Sequence, residues 1–306
     1  MANKPRVAIG PSSFAQEDDT PLRLLEQAGC EIVPNPYSRR LTQDEIVAHL
    51  EGVQGLIAGL EPLNRTVLES APDLKALARV GIGMTNVDRK AADDLDIAVS
   101  NTPDGPVDAV AEMTLTALLA ILRNLVSAND ALHQGKWEKR IGRGLKNTNV
   151  LLVGYGRIGK RVGEILGGFG AQWKAFDPMT SDIPGDRVVA DLDDGLAWAD
   201  VLSLHASGDT CLLDEKAFGA MKEGMLLLNS ARGELVDETA LCQALDSGIV
   251  AGGWFDAFAQ EPYSGPLIQY PQMLLTPHVS TYTRDCRLYM ERTAVENLLR
   301  DLGVSP

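Results

Sequence analysis

Cysteine is scarce and scattered. Cys30, Cys211, Cys242 and Cys286 are the only four in 306 residues, and none forms a Cys-x-x-Cys pair or a Cys/His spacing that suits a metal. A disulfide-stapled scaffold is thereby excluded, no metal site is expected, and the thiols read as the reduced residues of a cytoplasmic protein. Basic residues are in deficit, 28 Lys and Arg against 42 Asp and Glu for a net charge of −14, which argues against a nucleic-acid partner, because phosphate backbones are bound mainly through clustered cations. Long apolar runs are missing too. The longest, Leu115 to Leu122, contains Thr116 and stops at Arg123-Asn124, well short of a membrane span, so no membrane partner is expected. Val7-Ala8-Ile9 is too short for a signal-peptide core. No fixed-period repeat or low-complexity tract is present.

What is there is an alternation. With 45% hydrophobic residues the chain can fill two cores, and short β-branched runs alternate with helical stretches in the manner of βαβ units. Strands are expected at Arg6–Gly10, Glu31–Val33, Gly55–Ala58, Leu74–Ala78 and Ile97–Val99, with helices at Thr20–Ala28, Asn64–Ser70 and Asp88–Leu95. Thr42-x-x-Glu45 ahead of Ile46, Val47 and Leu50 has capping-box spacing. Asp108–His133 reads as one long helix, apolar over much of its circumference from Val110 to Leu122, which suits a domain boundary or a subunit interface. A second series follows, with strands near Val150–Val153, Trp173–Phe176, Val201–Leu204, Leu226–Leu228, Val250–Phe255 and Met273–Leu275, and a closing helix at Arg284–Leu302.

The sharpest local signal is Gly154-Tyr155-Gly156-Arg157-Ile158-Gly159, a Gly-x-Gly-x-x-Gly. Alone the motif is weak in a chain with 29 glycines, but here it leaves an apolar strand, opens a helix, and is followed by a second strand ending in Asp177, 18 residues past Gly159. Gly154 permits the tight turn, Gly156 lets a pyrophosphate approach the backbone, and Gly159 lets the helix pack on the sheet. The helix N-terminus offers unpaired N–H groups and the positive end of its dipole. Asp177 can accept both ribose hydroxyls and repels a 2′-phosphate, so NAD is expected rather than NADP. The alternative, that Asp177-Pro178 is only a turn, fits the spacing less well.

Three further segments lie just beyond the carboxyl ends of expected strands, where open parallel sheets bind ligands: Asn229–Asp237, Phe255–Pro262 and Leu275–Ser280. They contain Arg232, Glu261 and His278. Taken singly, each has a plain structural reading as an ion-pairing Arg, a turn Glu and a His satisfying a carbonyl. Together, and downstream of a dinucleotide fingerprint, they form a set that chemistry recognises. An Arg fork can hold a carboxylate, an imidazole can move a proton near neutral pH, and a carboxylate beside it favours its charged form.

Here the chain resembles the D-isomer-specific 2-hydroxyacid dehydrogenases, and among them the short 3-phosphoglycerate dehydrogenases without a regulatory domain. Besides the segments above, the resemblance is carried by Gly81-Ile-Gly-Met-Thr-Asn-Val-Asp88, Asn101-Thr-Pro-Asp-Gly105, Ala111-Glu112 and Glu296-Asn-Leu-Leu299. It implies an α/β fold with a flavodoxin-like substrate-binding domain, residues 1–101 with 282–306, and a Rossmann NAD-binding domain, residues 102–281. It implies an NAD-dependent oxidoreductase that interconverts a small D-2-hydroxy acid and its 2-keto acid, 3-phosphoglycerate being one candidate, as a cytoplasmic homodimer. Arg232, Glu261 and His278 would be catalytic. Gly154, Tyr155, Gly156, Arg157, Ile158, Gly159 and Asp177 would bind the cofactor, with His205, Ala206, Ser230, Ala231, Asp256 and Ser280 around the nicotinamide and its ribose. Asp256 would accept from the carboxamide, and the backbone at Gly81, Ile82 and Gly83 would hold the substrate carboxylate. The remaining histidines, His49 and His133, are expected on exposed helices. A different class, an NAD-sensing regulatory or corepressor-like protein, shares this fold.

The sequence also departs from that pattern. The loop after His205 is short, Ile82 stands where relatives often carry Thr, and Val279-Ser280-Thr281 replaces a Gly-containing stretch. Gly59-Leu60-Glu61 lacks the Arg that helps bind a substrate phosphate in better-known phosphoglycerate dehydrogenases, and Glu61 would oppose one. Arg79, Arg143, Lys146 and Arg284 are the other cations considered for that task.

Overall fold

The computed structural model describes residues 4–304; residues 1–3 and 305–306, which the sequence reading counts with the first domain, lie outside the described residues. Contacts divide the chain into two units, one running to Pro106 and resuming at Tyr282, the other Val107–Thr281.

The first unit contains β1 (Arg6–Ile9), α1 (Thr20–Gln27), β2 (Glu31–Val33), α2 (Gln43–His49), β3 (Gly55–Ala58), α3 (Arg65–Glu69), β4 (Ala76–Arg79), α4 (Arg89–Asp94) and β5 (Ala98–Asn101). The five strands are all parallel, in the order β2-β1-β3-β4-β5. Central β3 and β4 are buried along their whole length, as expected when helices cover both faces of a parallel sheet. Local sequence sets the helix starts: Thr42 and Glu45 close a reciprocal capping box, and Asn64 and Asp88 cap α3 and α4.

The second unit begins with α5 (Pro106–Leu122) and α6 (Leu125–His133). These replace the single long helix expected over Asp108–His133: the axis bends by 62° between them. Asn124 adopts the left-handed conformation (φ 53°), which Asn tolerates better than most residues, and the Leu122 carbonyl accepts instead from the distant Arg143 N–H at 2.8 Å. Ala111, Leu115, Leu118 and Leu122 bury one face of α5 in the second unit's core. No single helix among the described residues is long and apolar enough to cross a membrane.

Next come β6 (Asn149–Val153), α7 (Arg157–Gly168), β7 (Gln172–Phe176), α8 (Leu192–Trp198), β8 (Val201–Leu204), α9 (Glu215–Gly219), β9 (Met225–Asn229), α10 (Glu238–Ser247), β10 (Val250–Phe255) and β11 (Met273–Leu275). Their sheet is parallel throughout, in the order β11-β10-β9-β8-β6-β7. The chain ends with α11 (Arg284–Asp301), which packs on β3, β4, β5 and α1 of the first unit. The fold is thus α/β with two doubly wound sheets, each reversing its strand order beside its first strand.

Candidate active site

Six strand ends of the second sheet carry the candidate residues, and they divide into a cofactor half and a chemical half. In the cofactor half, β6 runs into Gly154, whose φ of +96° only glycine adopts without strain, and a Cβ there would lie 2.4 Å from the Ala206 nitrogen. A Cβ on Gly159 would lie 2.1 Å from the Gly154 carbonyl oxygen, so the helix can approach the turn only because that residue has no side chain. Gly156 faces open space and gives α7 no side-chain cap, although α2, α3, α4, α8, α9, α10 and α11 are all capped by Thr, Asn or Asp. With Gly at the N-cap, forgoing a side-chain cap costs only about a few tenths of a kcal/mol. A bound anion offsets that cost, and the cradle fits a pyrophosphate.

Asp177, at the end of β7, already accepts from the Tyr155 and Met179 N–H groups at 2.7 and 2.8 Å, which fixes the carboxylate beside the glycine turn. Each oxygen keeps a further lone pair for a ribose hydroxyl. The Tyr155 ring is buried against Trp173, with centroids 5.7 Å apart, so its phenol stays out of the cradle while its N–H is taken by Asp177. His205 ends β8. Its Nε2 lies 2.9 Å from Ser203 Oγ, while Nδ1 is buried with no partner among the described residues. Burial pushes its pKa down to about 4, so the imidazole is neutral.

In the chemical half, the loops after β9, β10 and β11 stand side by side, because these strands are neighbours. Buried Asn229 pins the Arg232 loop, accepting from the Ala231 N–H at 3.0 Å and donating to the Arg232 carbonyl at 2.8 Å. A Cβ on Gly233 would come 1.9 Å from the Ala259 nitrogen, which places the Arg232 loop directly against the loop that carries Glu261. Phe258 N–H donates to Glu261 Oε1 at 3.1 Å, and the Phe258 ring stacks on Tyr263 at 4.1 Å. Both Glu261 oxygens face His278 Nδ1, at 2.9 and 3.0 Å. His278 is held at φ +55°, with its backbone N–H donating to the Thr276 carbonyl.

Asp256 explains how that backbone is held. It is 1% exposed and accepts from Thr276 Oγ1, the Val279 N–H, the Ser280 N–H and Ser280 Oγ. Four donors occupy the four acceptor directions of a carboxylate and offset its burial. Asp256 and Ser280 therefore act as the clamp of the His278 loop, and a carboxamide contact to Asp256 requires one of these bonds to be exchanged. Trp254 Nε1 donates to Thr276 Oγ1 at 2.9 Å and extends the clamp into the core. The sequence reading missed Thr276 and Trp254, whose partners lie 20 and 22 residues away, and Asn229, whose two bonds are local to the loop it pins.

Among the remaining residues, Gly81 donates its N–H to Thr102 Oγ1 at 2.7 Å, whereas the Ile82 and Gly83 N–H groups have no hydrogen-bond partner among the described residues. Two donors rather than three are thus available after β4. His49 is half-buried against the Ile9 carbonyl at 3.1 Å, not exposed. Arg284 pairs with Glu17, and Arg143 reaches the Gly224 carbonyl. No cluster of three or more metal-ligating side chains occurs among the described residues.

Residues 115–280 match the sequence profile of the D-isomer specific 2-hydroxyacid dehydrogenase NAD-binding domain. The chain belongs to the D-isomer specific 2-hydroxyacid dehydrogenase family. It is 30% identical over 279 residues to a hydroxypyruvate reductase of Thermotoga maritima, covering 87% of this chain and 90% of that protein. It is 35% identical over 241 residues to the D-3-phosphoglycerate dehydrogenase of Mycobacterium tuberculosis, covering 76% of this chain but only 46% of that longer protein. This dehydrogenase fold also superposes on a Thermus thermophilus protein of known structure with a TM-score of 0.88 at 32% identity, over 98% of both chains. The glycine-rich turn and Asp177 accordingly lie in an NAD-binding domain of a 2-hydroxyacid dehydrogenase.

Proposed function

We propose that the protein reduces a small 2-keto acid to its D-2-hydroxy acid, and catalyses the reverse, with Arg232, Glu261 and His278 as the catalytic residues. The observation that carries this reading is the bidentate approach of Glu261 to His278 Nδ1, which leaves Nε2 as the ring nitrogen available to a substrate. Bound NADH supplies the hydride. His278 delivers a proton to the oxygen that gains negative charge, and Glu261 holds the ring through Nδ1 so that Nε2 faces the substrate. Arg232 holds the substrate carboxylate through its planar fork and polarises the adjacent carbonyl. Within the first unit, the Ile82 and Gly83 N–H groups remain as donors for an anionic oxygen.

Asp177 makes NAD the preferred cofactor, because a 2′-phosphate and a carboxylate would share one position. The protein acts as a homodimer in this reading: Leu125, Val126, Leu132, Trp137 and Ile141 leave large apolar side chains exposed around α6 and the segment after it, and a second copy of the chain is the natural cover. Four free thiols suit a cytoplasmic setting. The test is NADH oxidation with a panel of 2-keto acids, including glyoxylate, pyruvate, hydroxypyruvate and 3-phosphohydroxypyruvate. Turnover is expected; NADH binding without turnover on any of them would favour a regulatory protein on the same fold.

A further inference from the structure

Glu261 stands where no regular structure holds the backbone. β10 ends at Phe255 and the next helical turn begins at Pro266, and between them Ala259, Gln260, Pro262 and Ser264 are exposed. Phe258 and Tyr263, on either side of Glu261, give this loop its shape. Their rings stack with planes 22° apart and close the loop on itself, while the Phe258 N–H donates to Glu261 Oε1 at 3.1 Å.

Tyr263 fastens the closed loop to two further segments. Its hydroxyl donates to Glu238 Oε2 at 2.7 Å and accepts from the Leu267 N–H at 3.0 Å. Glu238 opens α10, directly after the segment that carries Arg232, and Leu267 is fully buried in the core of the second unit. Burial and the bond to Glu238 push the phenol up from its ordinary pKa, so it remains a protonated donor around neutral pH. Gly265 makes room for the side chain. A Cβ there would lie 2.5 Å from the hydroxyl oxygen and 2.6 Å from the ring, although the Gly265 backbone (φ −82°, ψ −175°) is one that any residue adopts. Glycine at 265 is thus demanded by Tyr263 and not by the turn. A ring that only filled space would need no hydroxyl, since Phe would stack on Phe258 equally well. What the hydroxyl adds is a fixed link between the Glu261 loop and the start of α10.

We propose that Tyr263 is a positioning residue for the proton transfer: through its bond to Glu238 and its stack on Phe258 it holds the Glu261 carboxylate against His278 Nδ1. The inference rests on the dehydrogenase reading above. Both Glu261 oxygens lie at 2.9 and 3.0 Å from that nitrogen, and a shift of the loop by about 1 Å would carry them out of hydrogen-bond range, a displacement that can cost far more in rate than in binding. Every residue in this chain of contacts belongs to the second unit. The close approach of Gly233 to Ala259 holds the same loop from the Arg232 side, so loss of the Tyr263 link should weaken the site without abolishing it.

The test uses the 2-keto acid that the wild type reduces fastest and measures kcat, KM, NADH affinity by fluorescence and thermal unfolding. The variants are Tyr263→Phe, Glu238→Ala, Glu238→Gln, Glu261→Gln and Tyr263→Phe combined with Glu261→Gln. Tyr263→Phe keeps the ring and removes only the hydroxyl, and kcat should fall roughly three- to tenfold with NADH affinity unchanged. Glu238→Ala should reproduce that loss, and Glu238→Gln, whose amide oxygen still accepts from the phenol, should recover part of it. On top of Glu261→Gln, Tyr263→Phe should cost almost nothing further, because the carboxylate it positions has gone. A Tyr263→Phe enzyme with the wild-type kcat, even one that unfolds at a lower temperature, would overturn the inference, as would an equal loss in the Glu261→Gln background. Should Tyr263→Phe not fold, the Glu238 variants decide: a loss in Ala that Gln partly restores supports the inference, and wild-type kcat in Ala overturns it. A wild type that turns over no keto acid would overturn the dehydrogenase reading and this inference together, whereas turnover that is insensitive to Tyr263→Phe would overturn this inference alone.

Discussion

The two sheets are wound alike, yet their switch points are furnished in opposite ways. Beside β6 the chain turns through Gly154–Gly159 straight into the uncapped 12-residue helix α7, so backbone donors await an anion. Beside β1 it passes Gly10 and does not enter α1 until Thr20, and the gap is taken by the Glu61 carboxyl. The titratable groups after the third strands differ in kind as well, buried Glu61 after β3 and half-buried, neutral His205 after β8. Topology thus decides where a ligand can lie, and a few side chains at each strand end decide which charge is welcome there.

If the second unit carries the chemistry, the largest effects should come from the ends of β9, β10 and β11. His278→Ala should lower kcat by roughly 10²–10⁴-fold while a fluorescence titration shows NADH affinity nearly intact. Loss of NADH binding instead would make His278 a structural residue. Gly233→Ala comes next. Its new Cβ meets the Ala259 backbone, so the Glu261 loop must shift, and kcat should fall on the order of 10²-fold with NADH affinity again nearly unchanged. Unaltered kinetics would show that the contact between the two loops does not matter to the site.

Much of this contrast was readable in the chain, and the parts that were not share a cause. The strands and the glycine turn announce themselves because their signals are local: a β-branched run, a glycine where φ is positive, a carboxylate one strand later. Arg232, Glu261 and His278 could be singled out because each follows such a strand. The break between α5 and α6 could not be seen, since it depends on a left-handed Asn124 and on a carbonyl satisfied from Arg143. The role of Asp256 in clamping the His278 loop could not be seen, because its four donors come from residues 20 to 24 positions downstream. Glu61 stood out in the chain only as a charge that would oppose a phosphate; its burial between two bare glycines could not be read there, because it is a property of two strand ends meeting.

A moderate effect should separate cofactor selection from chemistry within the second unit. Asp177→Ser should raise NADPH efficiency relative to NADH by roughly tenfold, with little change in the response to keto acids, because the charge that repels a 2′-phosphate is gone. Equal kcat/KM for the two cofactors in the wild type would contradict the role given to Asp177.

The smallest expected effect is on stability and belongs to His205. Its pKa is pushed down to about 4 by burial, so the unfolded chain takes up a proton that the folded chain refuses as pH falls from about 6.5 toward 4. Stability from this group is whole above pH 6.5 and is lost through that window, on the order of 2 kcal/mol by pH 5. In denaturant titrations His205→Asn should lose less stability than the wild type between pH 7 and pH 5; equal losses would mean that His205 is not held neutral.

The proposal that Glu261 and His278 act as one proton-transferring unit is tested most directly by a double-mutant cycle on kcat/KM for NADH-driven keto-acid reduction, with the wild type, Glu261→Gln, His278→Ala and the double variant. Reduction consumes a proton carried by His278, and both Glu261 oxygens face its Nδ1 at 2.9 and 3.0 Å. Gln keeps the shape of Glu261 but removes its charge, so Glu261→Gln should cost roughly tenfold or more in the wild-type background and almost nothing once His278 is already Ala. Equal losses from Glu261→Gln in the two backgrounds would contradict the pairing and return Glu261 to the status of a turn residue before Pro262.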